Sequence, residues 1–157
     1  MRRTTPSIVP KALVITVISA ALLATAALSH EGATGIVGER MTVMKTMGQH
    51  LKALNDMLKG SAAFDPAAAR IHANALSENC HKAHTMFPPG SADHHSRTLP
   101  AAWEKPEAFE AEMQRFHDAT AALASAAASG EPSDLAAPFT AVGRTCASCH
   151  ETFRQPE

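Results

Sequence analysis

A chain of 157 residues with a formal net charge of −1, one Trp and no Tyr offers neither a phosphate-neutralising patch nor a set of stacking platforms, which excludes nucleic-acid binding. Its length suffices for one domain around one core. Three cysteines, an odd number, exclude a framework in which every thiol is paired within the chain.

The first residues read as an export signal. Arg2, Arg3 and Lys11 make a positive start, Ala12 to Leu28 are largely apolar, and Ala27-Leu28-Ser29 supplies small residues where a signal peptidase reads them. Cleavage after Ser29 is expected, leaving a single domain over 30–157 that begins at His30 and resides in the periplasm. The alternative is an uncleaved anchor, because the apolar run is nearly as long as a spanning helix; its alanine content and small-residue end favour cleavage. Arg2-Arg3 lacks the surrounding signature of a folded-protein export signal. Removing 1–29 takes three cations and no acid, so the remainder is more acidic than the whole. The amine and imidazole of a terminal His30 would together suit copper.

Four segments of helical length follow. The first, from about Thr34 to Lys59, carries Met41, Met44, Met47, Leu51, Leu54 and Leu58 at spacings of three and four, an apolar stripe on one face. Gly60 stops it. Asp65-Pro66 is a start signal, an N-cap acceptor with proline at the first helical position; the second segment runs from Pro66 to about Phe87 with Ile71, Ala75 and Leu76 inside, and Pro88-Pro89-Gly90 ends it. Residues 88–103 read as one irregular stretch. The third helix is predicted to begin near Lys105-Pro106, carry Phe109, Met113, Phe116, Thr120 and Leu123, and close at Gly130. Ser133 is the expected cap of the fourth, along which Leu135, Phe139, Val142, Cys146, Cys149 and Phe153 alternate four and three. No segment alternates with period two, and short connections suit antiparallel neighbours. The expected fold is all-α, an antiparallel up-down four-helix bundle. Its alanine-rich helices have good propensity but little apolar bulk, so a large apolar cofactor is expected to complete the core and the apoprotein to be loosely folded.

Cys146-Ala147-Ser148-Cys149-His150, near the chain's end, is a C-x-x-C-H run. Two thiols one helical turn apart can each link to a vinyl group of one porphyrin, and the histidine can then bind the iron as proximal ligand. The seam of the fourth helix places both thiols on its buried face. Two other chemistries compete. Cys146, Cys149, His150 and Cys80 could form a structural zinc site, or the C-x-x-C pair could serve as a dithiol redox centre; the export signal, the adjacent histidine and the helical context favour haem. Cys80 alone reads as a small buried hydrophobe. Cys80-His81-Lys82-Ala83-His84 has only one thiol and cannot hold a second haem in the same way, although Cys80 and His84 share a helical face. Asp93-His94-His95 reads as a solvated loop. No nucleophile with a recognisable base and no paired carboxylates stand out, so the chain is not expected to be an enzyme.

From about Gly35 to Arg154 the chain resembles the cytochrome c prime family, the class II c-type cytochromes. The carriers are Val142-Gly143-Arg144-Thr145-Cys146-Ala147-Ser148-Cys149-His150-Glu151-Thr152-Phe153-Arg154, Arg40-Met41-Thr42-Val43-Met44-Lys45, the Phe87-Pro88-Pro89-Gly90-Ser91 turn, and Trp103 followed by Phe109. The resemblance implies one covalent haem c per chain, with Cys146 and Cys149 as thioether anchors and His150 as proximal ligand. It implies Arg154 near the proximal pocket, four residues after His150 and so on the same helical face; a solvated arginine favoured by the helix dipole is the plainer reading. Arg40 is implied to approach a haem propionate, and Met44, one turn later, falls at the distal position. If its sulfur reaches the iron, the haem is six-coordinate and built for single-electron transfer with redox partner proteins. Without that bond Met44 is an apolar lid over a five-coordinate iron open to nitric oxide or carbon monoxide. Pairing of two copies through the first two helices is a further implication.

Overall fold

The computed structural model describes residues 32–156; the expected signal segment, the cleavage site and His30 lie outside them. The described part is one compact unit. It contains α1 (Gly35–Leu58), α2 (Pro66–His84), a one-turn α3 (Ala101–Glu104), α4 (Pro106–Ala126) and α5 (Pro132–Phe153). There is no named strand among the described residues, only an isolated antiparallel bridge between Thr98 and Arg154. α2 packs against α1 and α4, and α4 against α5, while α1 meets α5 sparsely. With short connections after α1 and α4 and one longer excursion between α2 and α4, this is the expected up-down bundle.

Local signals account for most helix ends. Asp65 Oδ1 accepts from the amides of Ala67 at 2.9 Å and Ala68 at 3.3 Å, capping α2, with Pro66 at its first position. Gly60 and Gly130 take φ of 74° and 80°, left-handed conformations that suit glycine just beyond a helix. The cap expected at Ser133 is not formed: α5 begins at Pro132 with Glu131 before it and no side-chain cap bond. Proline at the first position has no amide to satisfy, and that decides the start. α2 stops at His84, three residues short of the expected end. Residues 101–104, expected to be irregular, form the single turn of α3.

The α4 stripe is as predicted, with Phe109, Met113, Phe116, Thr120 and Leu123 all buried. On α1, Val37, Arg40, Met47, Leu54 and Met57 are buried, and Met44, Leu51 and Leu58 are half-buried against the same core. α2 contributes Ala69, Ala73, Leu76, Cys80 and Ala83. Ile71 does not face inward as expected; it is 64% exposed, because Ala69, Ala73 and Leu76 set the buried face and position 71 falls on the other side of the helix.

Candidate functional site

The C-x-x-C-H run occupies the last turns of α5, where the helical register aims the thiols inward. Cys146 and Cys149 are half-buried, pack against the core cluster with Phe139, and form no disulfide. Burial pushes both thiols up to about 11; for Cys149 the carboxylate of Glu112 adds to the effect. Both are therefore S–H groups at neutral pH. His150 follows directly and is exposed on the last turn. Across from α5, Met44, Val43 and Leu51 of α1 are half-buried against the same core. These residues fit covalent haem: paired unbridged thiols, an imidazole beside them, and apolar side chains on two helices that meet only sparsely.

Arg40, which the resemblance implies near a haem propionate, makes a dense set of contacts to a loop. Its side chain is buried at 4% exposure, and all three guanidinium nitrogens donate to the loop between α2 and α3. Nε and Nη2 reach the Met86 carbonyl at 3.0 and 2.6 Å; Nη2 also reaches the Ser91 carbonyl at 3.0 Å and Ser91 Oγ at 2.7 Å. Nη1 donates to Ser96 Oγ at 3.3 Å and Thr98 Oγ1 at 3.4 Å. The guanidinium stands 4.4 Å from the Phe87 ring centroid, a cation–π contact. Burial lowers its pKa, partly offset by Asp93. A planar fork meets several acceptors at once, and here the loop supplies them.

The same loop is tied at two other points. Trp103 Nε1 donates to the carbonyls of Phe87 and Pro88, each at 3.1 Å. The Leu99 amide donates to the Phe153 carbonyl and the Gln155 amide to the Arg97 carbonyl, both at 2.8 Å. Arg154 is accordingly not on the helix: it caps α5 in an extended conformation, although its amide still donates to the His150 carbonyl at 3.2 Å. The helix ends one residue too early for a four-residue spacing to fix the direction of its side chain. Phe109 stacks edge-on against both Phe87 and Phe153, with centroids 4.8 and 5.2 Å apart, which couples the loop to the end of the helix that carries His150.

Cys80 is buried at 1% exposure, as expected of a small hydrophobe, and burial raises its pKa. His84 turns to Glu110 of α4, Nε2 to Oε2 at 2.8 Å. Asp93 Oδ1 accepts from the amides of His95 at 2.8 Å and Ser96 at 3.0 Å, which builds a turn. Among the described residues no three or more His, Cys, Asp or Glu side chains converge to hold a metal ion, so the zinc reading finds no support in the geometry.

Sequence reasoning missed Glu112. This carboxylate on α4 is 8% exposed and accepts from Ser148 Oγ at 2.8 Å, inside the C-x-x-C-H run. It is also paired with Arg115, whose Nε stands 3.4 Å from Oε2. The signal was present: position 112 lies between Phe109 and Phe116 on the α4 stripe, at spacings of three and four.

Residues 35–154 match the family model described as cytochrome c'. A protein named cytochrome c' from Pararhodospirillum photometricum is 35% identical over 117 residues, 74% of this chain and 93% of its own. Among solved structures, a ferrous variant of cytochrome c prime from Alcaligenes xylosoxidans with bound NO superposes with a TM-score of 0.73 at 25% identity, covering 78% of this chain and 94% of that one. A carbon monoxide-bound variant of the same protein gives 0.73 at 26%, covering 77% and 94%. The chain belongs to the cytochrome c' family, whose members carry covalently attached haem c.

Proposed function

We propose that this haem c protein is a periplasmic carrier of single electrons and not an enzyme, its iron bound by His150 and, on the other side, by Met44. The observation that carries the reading is the placement of Met44. It sits one turn from Arg40, on the inner face of α1 and half-buried against the core cluster on which Cys146 and Cys149 also pack. A thioether is a weak, soft ligand that suits haem iron cycling between two oxidation states. The haem supplies the redox chemistry; the chain supplies attachment, burial and axial groups. The apolar segment expected to direct export supports the periplasmic placement; among the described residues no helix is long and apolar enough to cross a membrane.

A second reading rests on the relatives. The NO-bound and CO-bound structures of the Alcaligenes xylosoxidans protein favour an iron that takes small gases when Met44 stands aside as a lid. Mixing reduced holoprotein with carbon monoxide separates the two. The carrier reading expects a slow, incomplete adduct and reversible one-electron cycling; a rapid, complete adduct overturns it in favour of gas binding. Pairing of two copies through α1 and α2 belongs to the same proposal.

A further inference from the structure

Two charged side chains are buried among the described residues, Arg40 and Glu112. Arg40 is accounted for by the loop it holds. Glu112 is not needed by the fold in that way, since its neighbours on the α4 face are Phe109, Met113 and Phe116 and a neutral side chain would pack there without the cost of burying a carboxylate. Its contacts run to one place. Oε1 accepts from Ser148 Oγ at 2.8 Å across the α4–α5 interface, and Ser148 lies between the two attachment cysteines, directly before Cys149 and two residues before His150. Arg115, whose side chain is 56% exposed, pairs with the same carboxylate from the solvent side. The Glu112–Arg115 pair thus has its negative end against the attachment run and its positive end in water.

We propose that Glu112 is a positioning residue for the haem: through Ser148 it fixes the turn that presents Cys149 and His150, and its charge, partly cancelled by Arg115, stabilises the oxidised iron over the reduced. A negative group held in a poorly solvated place interacts strongly with a nearby centre whose charge rises by one on oxidation, and second-shell hydrogen bonds tune metal centres in this manner. The inference rests on the haem c of the family and not on whether the protein carries electrons or binds gas, so it can fail while either role stands.

The test is the midpoint potential of purified holoprotein at fixed pH and ionic strength, for wild type, Glu112→Gln and Arg115→Gln. Glu112→Gln is expected to raise the potential, shifting the ferric-to-ferrous ratio at a given poise by about three- to tenfold, where tenfold is about 59 mV for one electron. Arg115→Gln is expected to lower it, because the carboxylate loses its partner. Opposite signs are what a merely structural effect would not give. Ser148→Ala retains both charges and is expected to leave the potential near wild type while broadening the ferric electron paramagnetic resonance signal, which reports the spread of axial geometries in either coordination state. Shifts of the same sign in the two charge variants, or none in either, overturn the proposal. Should Glu112→Gln fail to accumulate as holoprotein, Arg115→Gln decides alone: a lowered potential supports it, and an unchanged or raised one overturns it.

Discussion

Arg40 holds the carbonyl of Met86 with two nitrogens at once, Nη2 at 2.6 Å and Nε at 3.0 Å. A residue of the first helix thereby secures a loop 46 positions later, and the loop in turn is hydrogen-bonded to the segment that follows α5. The N-terminal and C-terminal helices, which touch each other little, are linked through this loop.

Removing that guanidinium leaves several loop acceptors without donors. Arg40→Ala is expected to cost on the order of 3 kcal/mol, read as a lower denaturation midpoint, with faster amide exchange across residues 86–98. Arg40→Lys is expected to recover little, since an ammonium cannot reproduce the two-nitrogen grip on Met86 or the stacking on Phe87. Unchanged exchange in both variants would show that the loop holds itself.

Met44→Ala is expected to leave the haem attached and the fold intact while converting the ferric spectrum to high-spin and accelerating carbon monoxide binding to the ferrous form. Wild-type spectra retained in the variant would take Met44 out of the coordination sphere and favour the lid.

His50 on α1 and His72 on α2 approach with Nδ1 atoms 2.9 Å apart and ring centroids 5.2 Å apart. The rings are tilted by 49°, and a contact at this distance has one Nδ1–H donating to the other Nδ1, so it requires one proton between them. The His50 pKa is lowered from 6.5, by burial first and by His72 second. His50 therefore binds its proton less readily in the folded state than in the unfolded one, and the stability it contributes is complete above pH 6.5 and lost as pH falls through its lowered folded value. Melting temperatures recorded from about pH 8 to about pH 5 should decline over the acidic half, with a shallower decline for His72→Gln. Equal slopes would remove the pair from the acid response.

The buried face of α2 is Ala69, Ala73, Leu76, Cys80 and Ala83, which supplies little apolar bulk when each buried Leu, Met or Phe contributes about 1.5–3 kcal/mol. A Cys146→Ser, Cys149→Ser double variant, free of covalent haem, is expected to melt earlier and over a wider range than the holoprotein. A cooperative transition at the wild-type temperature would show that the helices need no cofactor to complete their core.

Periodicity made the bundle legible. The α4 stripe from Phe109 to Leu123 and the α5 seam from Leu135 to Phe153 were readable because apolar side chains must recur every three or four residues to share a face. Asp65-Pro66 was readable because the cap is local chemistry. What escaped was set by partners far away in sequence. Arg40 and Glu112 sit at stripe positions where an apolar residue is the rule, yet only the folded chain shows that one faces loop carbonyls and the other Ser148. Position 71 looked inward because isoleucine is apolar, but alanines of the same helix claim that face. Arg154 looked helical because four residues separate it from His150, whereas the bridge to Thr98 pulls the chain into an extended path first. The run Cys146 to His150 stood out in the sequence by its spacing, which left zinc and dithiol chemistry as competitors; the family match is what brings haem c.

The covalent link at Cys146 and Cys149 is tested most directly by intact mass and peptide mapping of protein exported to the periplasm by cells equipped for haem attachment. The expected result is one haem per chain, retained after acid-acetone extraction and found on the peptide that contains Cys146 through His150. An exported chain whose Cys146 and Cys149 peptide carries no tetrapyrrole would contradict the account.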